Sequence, residues 1–269
     1  MILLNVLLVL AVASVAVLIM VSTQDIEVQR STRLRDAAQA SAYARAGELS
    51  AVTVLRRDGL VASATDNLSE PWAKLDQQEI AVPGGRFTLR IEDEQARFNL
   101  NAMQSGQAAP IDLFHRIGVA LGVDPASLIR IATVVRIAGP LSDDSLIVAA
   151  GVPRADLDRL APYVTVLPTE ATTNLNTVGL PLLSLIANDP EVARRLIELR
   201  TRKGFLTPAD LPAEGAPTLP GTGFTSDHYR VITTVTVGDV TQALDSRIAR
   251  LRGVGTVDVV ITGRRRGAG

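Results

Sequence analysis

The side chains that could do chemistry are few and scattered. The 269-residue chain holds two histidines, His115 and His228, and no cysteine. Without cysteine there is no disulfide, no thiolate metal site and no cysteine nucleophile. His115 falls in an apolar helical pattern and His228 opens a strand pattern, so the sequence gives no reason to bring the two together. No Gly-x-Ser-x-Gly elbow, phosphate-binding glycine loop or His-Glu-x-x-His motif occurs. Glu92-Asp93-Glu94 sits at a turn that closes a strand pattern. The basic residues Arg194, Arg195, Arg200, Arg202 and Lys203 share one helical stretch, but Glu191 and Glu198 dilute them into an ordinary solvated face. The whole chain carries 27 basic and 28 acidic residues, a net charge of −1, so no strong field draws it to a polyanion. No catalytic constellation is legible, and function has to be sought in the elements.

The first element is the loudest. From Met1 to Gln24 no side chain is charged, and up to Met20 the polar ones are Asn5 and Ser14. A helix of twenty residues spans about 30 Å, the thickness of a bilayer core. The basic start and short apolar core of a signal peptide are missing, which predicts a retained membrane helix over 1–22. Helical character then continues. Asp25 to Arg57 holds no proline and a single glycine, Gly47, while Ile26, Leu34, Ala37, Ala38, Ala42, Leu49 and Val52 recur among charged residues. Asp58-Gly59 reads as the stop. One helix of about fifty residues therefore leaves the membrane and lays its outer half along the domain that follows.

Residues 60–80 read as a polar connection with a short turn at Glu70-Pro71-Trp72-Ala73. Phe87, Leu89 and Ile91 alternate with polar residues as a half-buried strand does; Asp93-Glu94-Gln95 is a turn, and Ala96, Phe98 and Leu100 alternate again. From about 110 to 212 the pattern is one of short helices, with Asp124-Pro125 and Asp189-Pro190 as starts and Gly204 as a stop. Pro212 to Gly223 is a loop. Strands return at Tyr229–Val237, Val240–Leu251 and Thr256–Thr262, and Arg264-Arg265-Arg266 reads as a solvated tail. The class is α+β: a long helix packed on an antiparallel sheet that both strand sets share, with an all-helical insertion between them.

This order resembles that of the type II secretion minor pseudopilins of the K type (the general secretion pathway protein K family). The start Leu3-Leu4-Asn5-Val6-Leu7-Leu8-Val9-Leu10 resembles the family's mature N-terminus. Glu92 to Asn101, ending in Phe98-Asn99-Leu100-Asn101, resembles its strand-turn-strand segment. Tyr163 to Pro168, followed by Asn174-Leu175-Asn176-Thr177, resembles the start of its second helical half, and Glu70-Pro71-Trp72-Ala73 is a weaker echo. The resemblance implies a pilin-like domain over 23–102 and 223–269, a helical insertion over 103–222, and no enzymatic activity.

It also implies a place and partners. The protein would sit in the bacterial inner membrane with its C-terminal domain in the periplasm. It would cap the pseudopilus tip, with I- and J-type minor pseudopilins, the major pseudopilin and the inner-membrane assembly platform as partners. Other pilins carry a glutamate where Asn5 stands; a subunit at the tip has no neighbour above to pair such a carboxylate, and an unpaired one is costly in an apolar core. If Met1 is the mature first residue, the prepilin peptidase would process and N-methylate it there. The assembly face of the helix would run through Ile26, Leu34, Ala38, Ala42 and Leu49.

Two departures bear on ligands. Family members often hold calcium in an acidic loop; the matching stretch here, Ile131 to Leu146, offers Asp143 and Asp144 alone, against the six to eight oxygens calcium takes. No cofactor is expected. The stretch from Thr173 to Leu211 also resembles the helix-hairpin-helix repeat of DNA-uptake proteins, whose hairpin glycines let backbone N–H groups hold phosphate. Here the hairpin is Ala187-Asn188-Asp189-Pro190, which offers a like charge and no N–H at the proline. A DNA-uptake protein and a minor pilin of a related type IV pilus stand as the alternatives, with no nucleic acid expected as a partner.

Overall fold

The computed structural model describes residues 2–61, 64–75, 77–216 and 218–268. Met1, the candidate processing and methylation site, lies outside them.

Helix α1 (Ile2–Val61) is unbroken. Residues 2–35 are exposed on all sides. Within the apolar stretch the few hydroxyls fold back onto the helix: Ser14, Ser22 and Thr23 donate to the carbonyls of Leu10, Leu18 and Ile19 at 2.8, 2.7 and 2.8 Å. These three hydroxyls are thereby satisfied without water. From Ala40 onward a narrow stripe is buried, comprising Ala40, Ala44, Gly47, Glu48, Ala51, Val52, Leu55, Asp58 and Gly59. Small residues at three- and four-residue spacing bring the helix close to the sheet. A Cβ on Gly47 would lie 2.6 Å from Phe87 Cζ. Asp58-Gly59 does not stop the helix. Both residues are buried inside it, and Gly59 is there for close approach, since a Cβ would meet Val257 Cγ1 at 2.9 Å.

The stretch expected to be a plain polar connection already contains a strand, β1 (Gln77–Val82), which turns at Pro83-Gly84 into β2 (Gly85–Asp93). Asp93 then caps a 3-10 turn by accepting from Gln95 N, and the chain leaves the sheet. The second alternation, Ala96 to Leu100, does not form a hairpin partner. It yields β3 (Phe98–Asn99), which pairs in parallel with β4 (Val164–Thr165), and a 3-10 turn over Leu100–Ser105.

The insertion holds α2 (Ala108–Ala120), α3 (Pro125–Ala138), α4 (Ser145–Ala149), α5 (Arg154–Leu160), α6 (Leu180–Ala187), α7 (Pro190–Lys203) and α8 (Asp210–Ala213). Asp124 and Asp189 cap α3 and α7 with Pro at the first helical position, and Gly204 ends α7. Inside the expected 212–223 loop, Pro212 belongs to α8, and β6 (Thr222–Gly223) pairs in parallel with β5 (Thr173–Asn174). The insertion has its own core around Phe114, Ile117, Ile131, Leu160, Leu183 and Leu196. Phe98, Leu100 and Met103 belong to it, so its packing begins ahead of the expected boundary at 103.

The buried asparagines Asn99, Asn101, Asn174 and Asn176 of the two Asn-Leu-Asn segments tie this domain together. Asn101 exchanges both bonds with Leu141, accepting from its N–H at 2.9 Å and donating to its carbonyl at 2.9 Å. Asn176 does the same with Leu206, at 2.6 and 3.1 Å. A carboxamide carries both a donor and an acceptor, so it stands in for a strand residue where no strand exists.

The chain returns through β7 (His228–Val237), β8 (Val240–Gly253) and β9 (Thr256–Ala268). The five-stranded antiparallel sheet has the order β1-β2-β7-β8-β9. β2 and β7 pair in continuous register from Gly85↔Val237 to Asp93↔Tyr229, so the insertion hangs from one end of the two inner strands. The three arginines are no tail: they continue β9, opposite Ser246, Asp245 and Leu244.

Candidate functional site

The candidate assembly residues lie on the part of α1 that the protein itself leaves uncovered. Ile26 and Leu34 precede the sheet and are 66% and 64% exposed; Ala38, Ala42 and Leu49 are exposed opposite it. At about 100° per residue, Ala38, Ala42 and Leu49 fall within about 40° of one another. Ile26 lies instead in line with the buried stripe. Ala38, Ala42 and Leu49 thus form one strip, with Leu34 at its margin and Ile26 off it. Asn5 sits among exposed apolar side chains in the first turns of α1.

Beyond this strip the end of α1 is held by a buried charged hub that the sequence did not disclose. Arg250 on β8 is completely enclosed. It binds Asp58 on the last turns of α1 at 3.0 Å and Asp66 in the following loop, and its guanidinium lies 5.1 Å from the centre of the Tyr229 ring. Asp66 also receives Arg252 at 2.7 Å, the Tyr229 hydroxyl at 3.1 Å and the Ser226 N–H at 2.8 Å. Glu70 stands beside it, bound by Trp72 Nε1 at 2.7 Å and by both nitrogens of Asn67. Burial pushes the Glu70 carboxyl up to about 7. The ligand atoms of Asp58, Asp66 and Glu70 lie within 4.8 Å of one another, but Arg250 already supplies the positive charge there.

A second buried carboxylate joins the domains. Asp93 accepts from Gln95 N at 2.8 Å, Ser226 Oγ at 2.6 Å, Asn174 Nδ2 at 3.3 Å and the Thr177 hydroxyl. Among the described residues no cation pairs with it, and burial raises its pKa to about 6. It sits where the chain leaves the sheet, and Ser226 where the chain returns. On α1, Glu48 is buried against Ser246 and receives Arg264 at 2.8 and 2.9 Å; burial acts to raise its pKa, but Arg264 and Ser246 outweigh it and hold the carboxyl below the usual range. The sequence offered Asp58 as part of a stop, Glu70 in a short turn and Asp93 in another, whereas the arginine partners of Asp58 and Glu48 lie about two hundred residues away.

The other candidates are brought to no common site. Asp143 caps α4 through Ser145 N at 2.9 Å, and Asp144 precedes that helix with no side-chain bond. Asp189 spends its carboxylate on Glu191 N and Val192 N at 2.8 and 3.3 Å, so it holds the amides a phosphate would need. Arg194 pairs with Glu191, and Arg200 donates to the carbonyls of Leu175 and Val178 at 2.8 and 2.9 Å. His115 and His228 stand in different domains, on α2 and β7.

No protein-family model matches the chain. Curated proteins named type II secretion system protein K are similar to it. The one from Pseudomonas aeruginosa is 28% identical over 92% of this chain and 87% of its own length. That from Klebsiella pneumoniae is 30% identical over 76% and 75%, and that from Aeromonas hydrophila 26% identical over 92% and 92%. Among solved structures, a chain of the GspK-GspI-GspJ complex from the enterotoxigenic Escherichia coli type 2 secretion system superposes with a TM-score of 0.68. It covers 88% of this chain and 99% of its own at 18% identity, and shares the fold.

Proposed function

The chain belongs to the type II secretion system protein K family, and from that membership we propose that it caps the tip of the secretion pseudopilus, helps to start its assembly and so supports export of folded proteins across the outer membrane. The observation that carries this reading is α1 itself. A helix that buries a stripe from Ala40 to Gly59 but leaves its uncharged first part, Ile2 to Gln24, exposed needs an apolar surrounding from elsewhere. The inner membrane supplies it before assembly and neighbouring helices supply it afterwards, through apolar faces and small residues such as Ala11, Ala13 and Ala16.

Three features favour the tip. The insertion adds a second domain with its own core to one end of the sheet, which makes the head too broad for a shaft subunit. Asn5 leaves no carboxylate needing a partner from above. The strip formed by Ala38, Ala42 and Leu49 is open for side-by-side packing. The partners are I- and J-type minor pseudopilins, as in the complex that shares the fold. The role is mechanical, not catalytic.

The test is light scattering on the full chain in detergent with its cognate I- and J-type subunits. A one-to-one-to-one complex supports the reading. A chain that ignores them but retards double-stranded DNA at moderate salt overturns it in favour of DNA uptake.

A further inference from the structure

Beside the exposed strip of α1 lies a groove whose charge is not balanced among the described residues. It encloses about 620 Å³ between α1 and the ends of β8 and β9; Ala44, Arg45 and Leu49 line it from the helix, and Leu244, Arg264 and Arg266 from the sheet. Among the described residues Glu48 is the only acid on its wall, and that carboxylate is buried and engaged by Arg264 and Ser246. Arg45 and Arg266 are exposed and have no ion pair among the described residues. Three guanidiniums against one occupied carboxylate leave a local excess of positive charge in a chain whose overall charge is −1.

The bland explanation is that arginines on an edge strand keep it from pairing with other chains. It accounts for Arg265 and Arg266 on β9 but not for Arg45, which projects from the helix into the same groove. Membrane lipid is too far away. Arg45 stands twenty-five residues beyond Met20, about 37 Å along a helix rising 1.5 Å per residue, well outside the headgroup layer. The groove also adjoins the strip available for packing, since Leu49 belongs to both.

We propose that this groove docks an acidic segment of a partner polypeptide, whose carboxylates pair with Arg45 and Arg266 while its apolar side chains rest on Ala44, Leu49 and Leu244. The guanidinium forks suit carboxylates in pairs. In the assembled tip the segment belongs to a neighbouring minor pseudopilin, a statement that rests on the function proposed above. Arg264 is a positioning residue, tied to Glu48, and is left alone in the test.

The experiment measures binding of the full chain in detergent to its cognate I- and J-type subunits, and to a fluorescent ten-residue peptide alternating glutamate and valine. It compares the unaltered protein with an Arg45→Glu/Arg266→Glu double variant. Arg136→Glu, on an exposed face of α3, serves as the control for general charge. The expected result is at least a tenfold loss of affinity for both probes in the double variant, no loss in the control, and binding that weakens with salt. Subunit binding that survives the double variant at full strength overturns the groove proposal and leaves the proposed function standing. If the unaltered chain binds neither subunit, the function fails, and the peptide alone decides the groove: binding abolished by the double variant upholds it, and no binding overturns it.

Discussion

Asn101 pairs with Leu141 as one strand residue pairs with another, through a carboxamide that gives and accepts a bond at 2.9 Å each. Its Nδ2 also reaches the Leu167 carbonyl at 2.7 Å, and the residue is fully buried. Asn101→Ala leaves one N–H and two carbonyls enclosed without partners. At about 1–3 kcal/mol for each unsatisfied group, partly relieved by relaxation or an entering water, the expected loss is about 2–4 kcal/mol. Urea unfolding of the full chain in detergent measures it. Asn101→Asp should behave nearly as badly, because a carboxylate keeps the acceptor for Leu141 N–H but donates nothing.

That residue also marks what the sequence could and could not say. Strands β2 and β7 were legible because they alternate, with every second residue buried along His228–Val237. Asp124-Pro125 and Asp189-Pro190 announced their helices because a cap acts within three residues. Phe98-Asn99-Leu100-Asn101 alternates equally well, yet its asparagines are buried with its apolar residues, so the period-2 pattern reported motif chemistry and not a half-buried strand. Asp58-Gly59 looked like a stop because local propensity favours one. The helix runs two residues further, to Val61, and Arg250 holds Asp58 there at 3.0 Å from the far end of the chain. Such pairings, like Glu48 with Arg264, depend on which faces meet after folding, and no local spacing encodes them. Arg264 in particular read as part of a solvated tail, whereas the register of β9 places it over the helix.

The exposed strip of α1 separates assembly from stability. Ala42→Glu puts a carboxylate on an exposed face of the helix, so the unfolding free energy should change by no more than about 0.5 kcal/mol. Packing against another helix would bury that charge, and the complex with the I- and J-type subunits should be lost. Ala38→Glu should act alike. By the helical phase, Ile26→Glu tests a different face and should affect assembly independently. Light scattering and thermal unfolding on the same samples check all three; normal assembly by the Ala42 variant would remove this strip from the interface.

Calcium should leave the protein unchanged. The Asp143 carboxylate is engaged by Ser145 N at 2.9 Å, and Arg247 donates to the neighbouring Ser142 carbonyl at 3.2 Å, which places a cation beside the loop. With Asp144 as the one other acid there, the oxygens fall short of the six to eight that calcium takes. Melting midpoints in 1 mM EDTA and in about 1 mM calcium should coincide, since an ion bound at a hundred times its dissociation constant would add about 2.7 kcal/mol.

Stability should depend on pH through Asp93 in a direction opposite to that of a salt-bridged carboxylate. Burial raises its folded pKa from 3.8 to about 6, outweighing the hydrogen bonds from Ser226, Thr177 and the Gln95 N–H that act to lower it. Between those values the folded state holds a proton that the unfolded state has released. The contribution is therefore fully present below about pH 4 and is lost as pH rises through 6. At 1.36 kcal/mol per unit the difference approaches about 3 kcal/mol. Glu70, raised to about 7, acts in the same sense, whereas His228, whose pKa burial lowers, and Glu48, held low by Arg264 and Ser246, act in the opposite one. The total curve is thus a sum of opposed terms, and the informative quantity is a difference. Subtracting the stability of Asp93→Asn from that of the unaltered chain, measured by urea unfolding at steps from pH 4.5 to 8, should give a value that falls as pH rises and levels off above about 7. A flat difference would mean that Asp93 stays ionised throughout, stabilised fully by Thr177, Ser226, Asn174 and the Gln95 N–H.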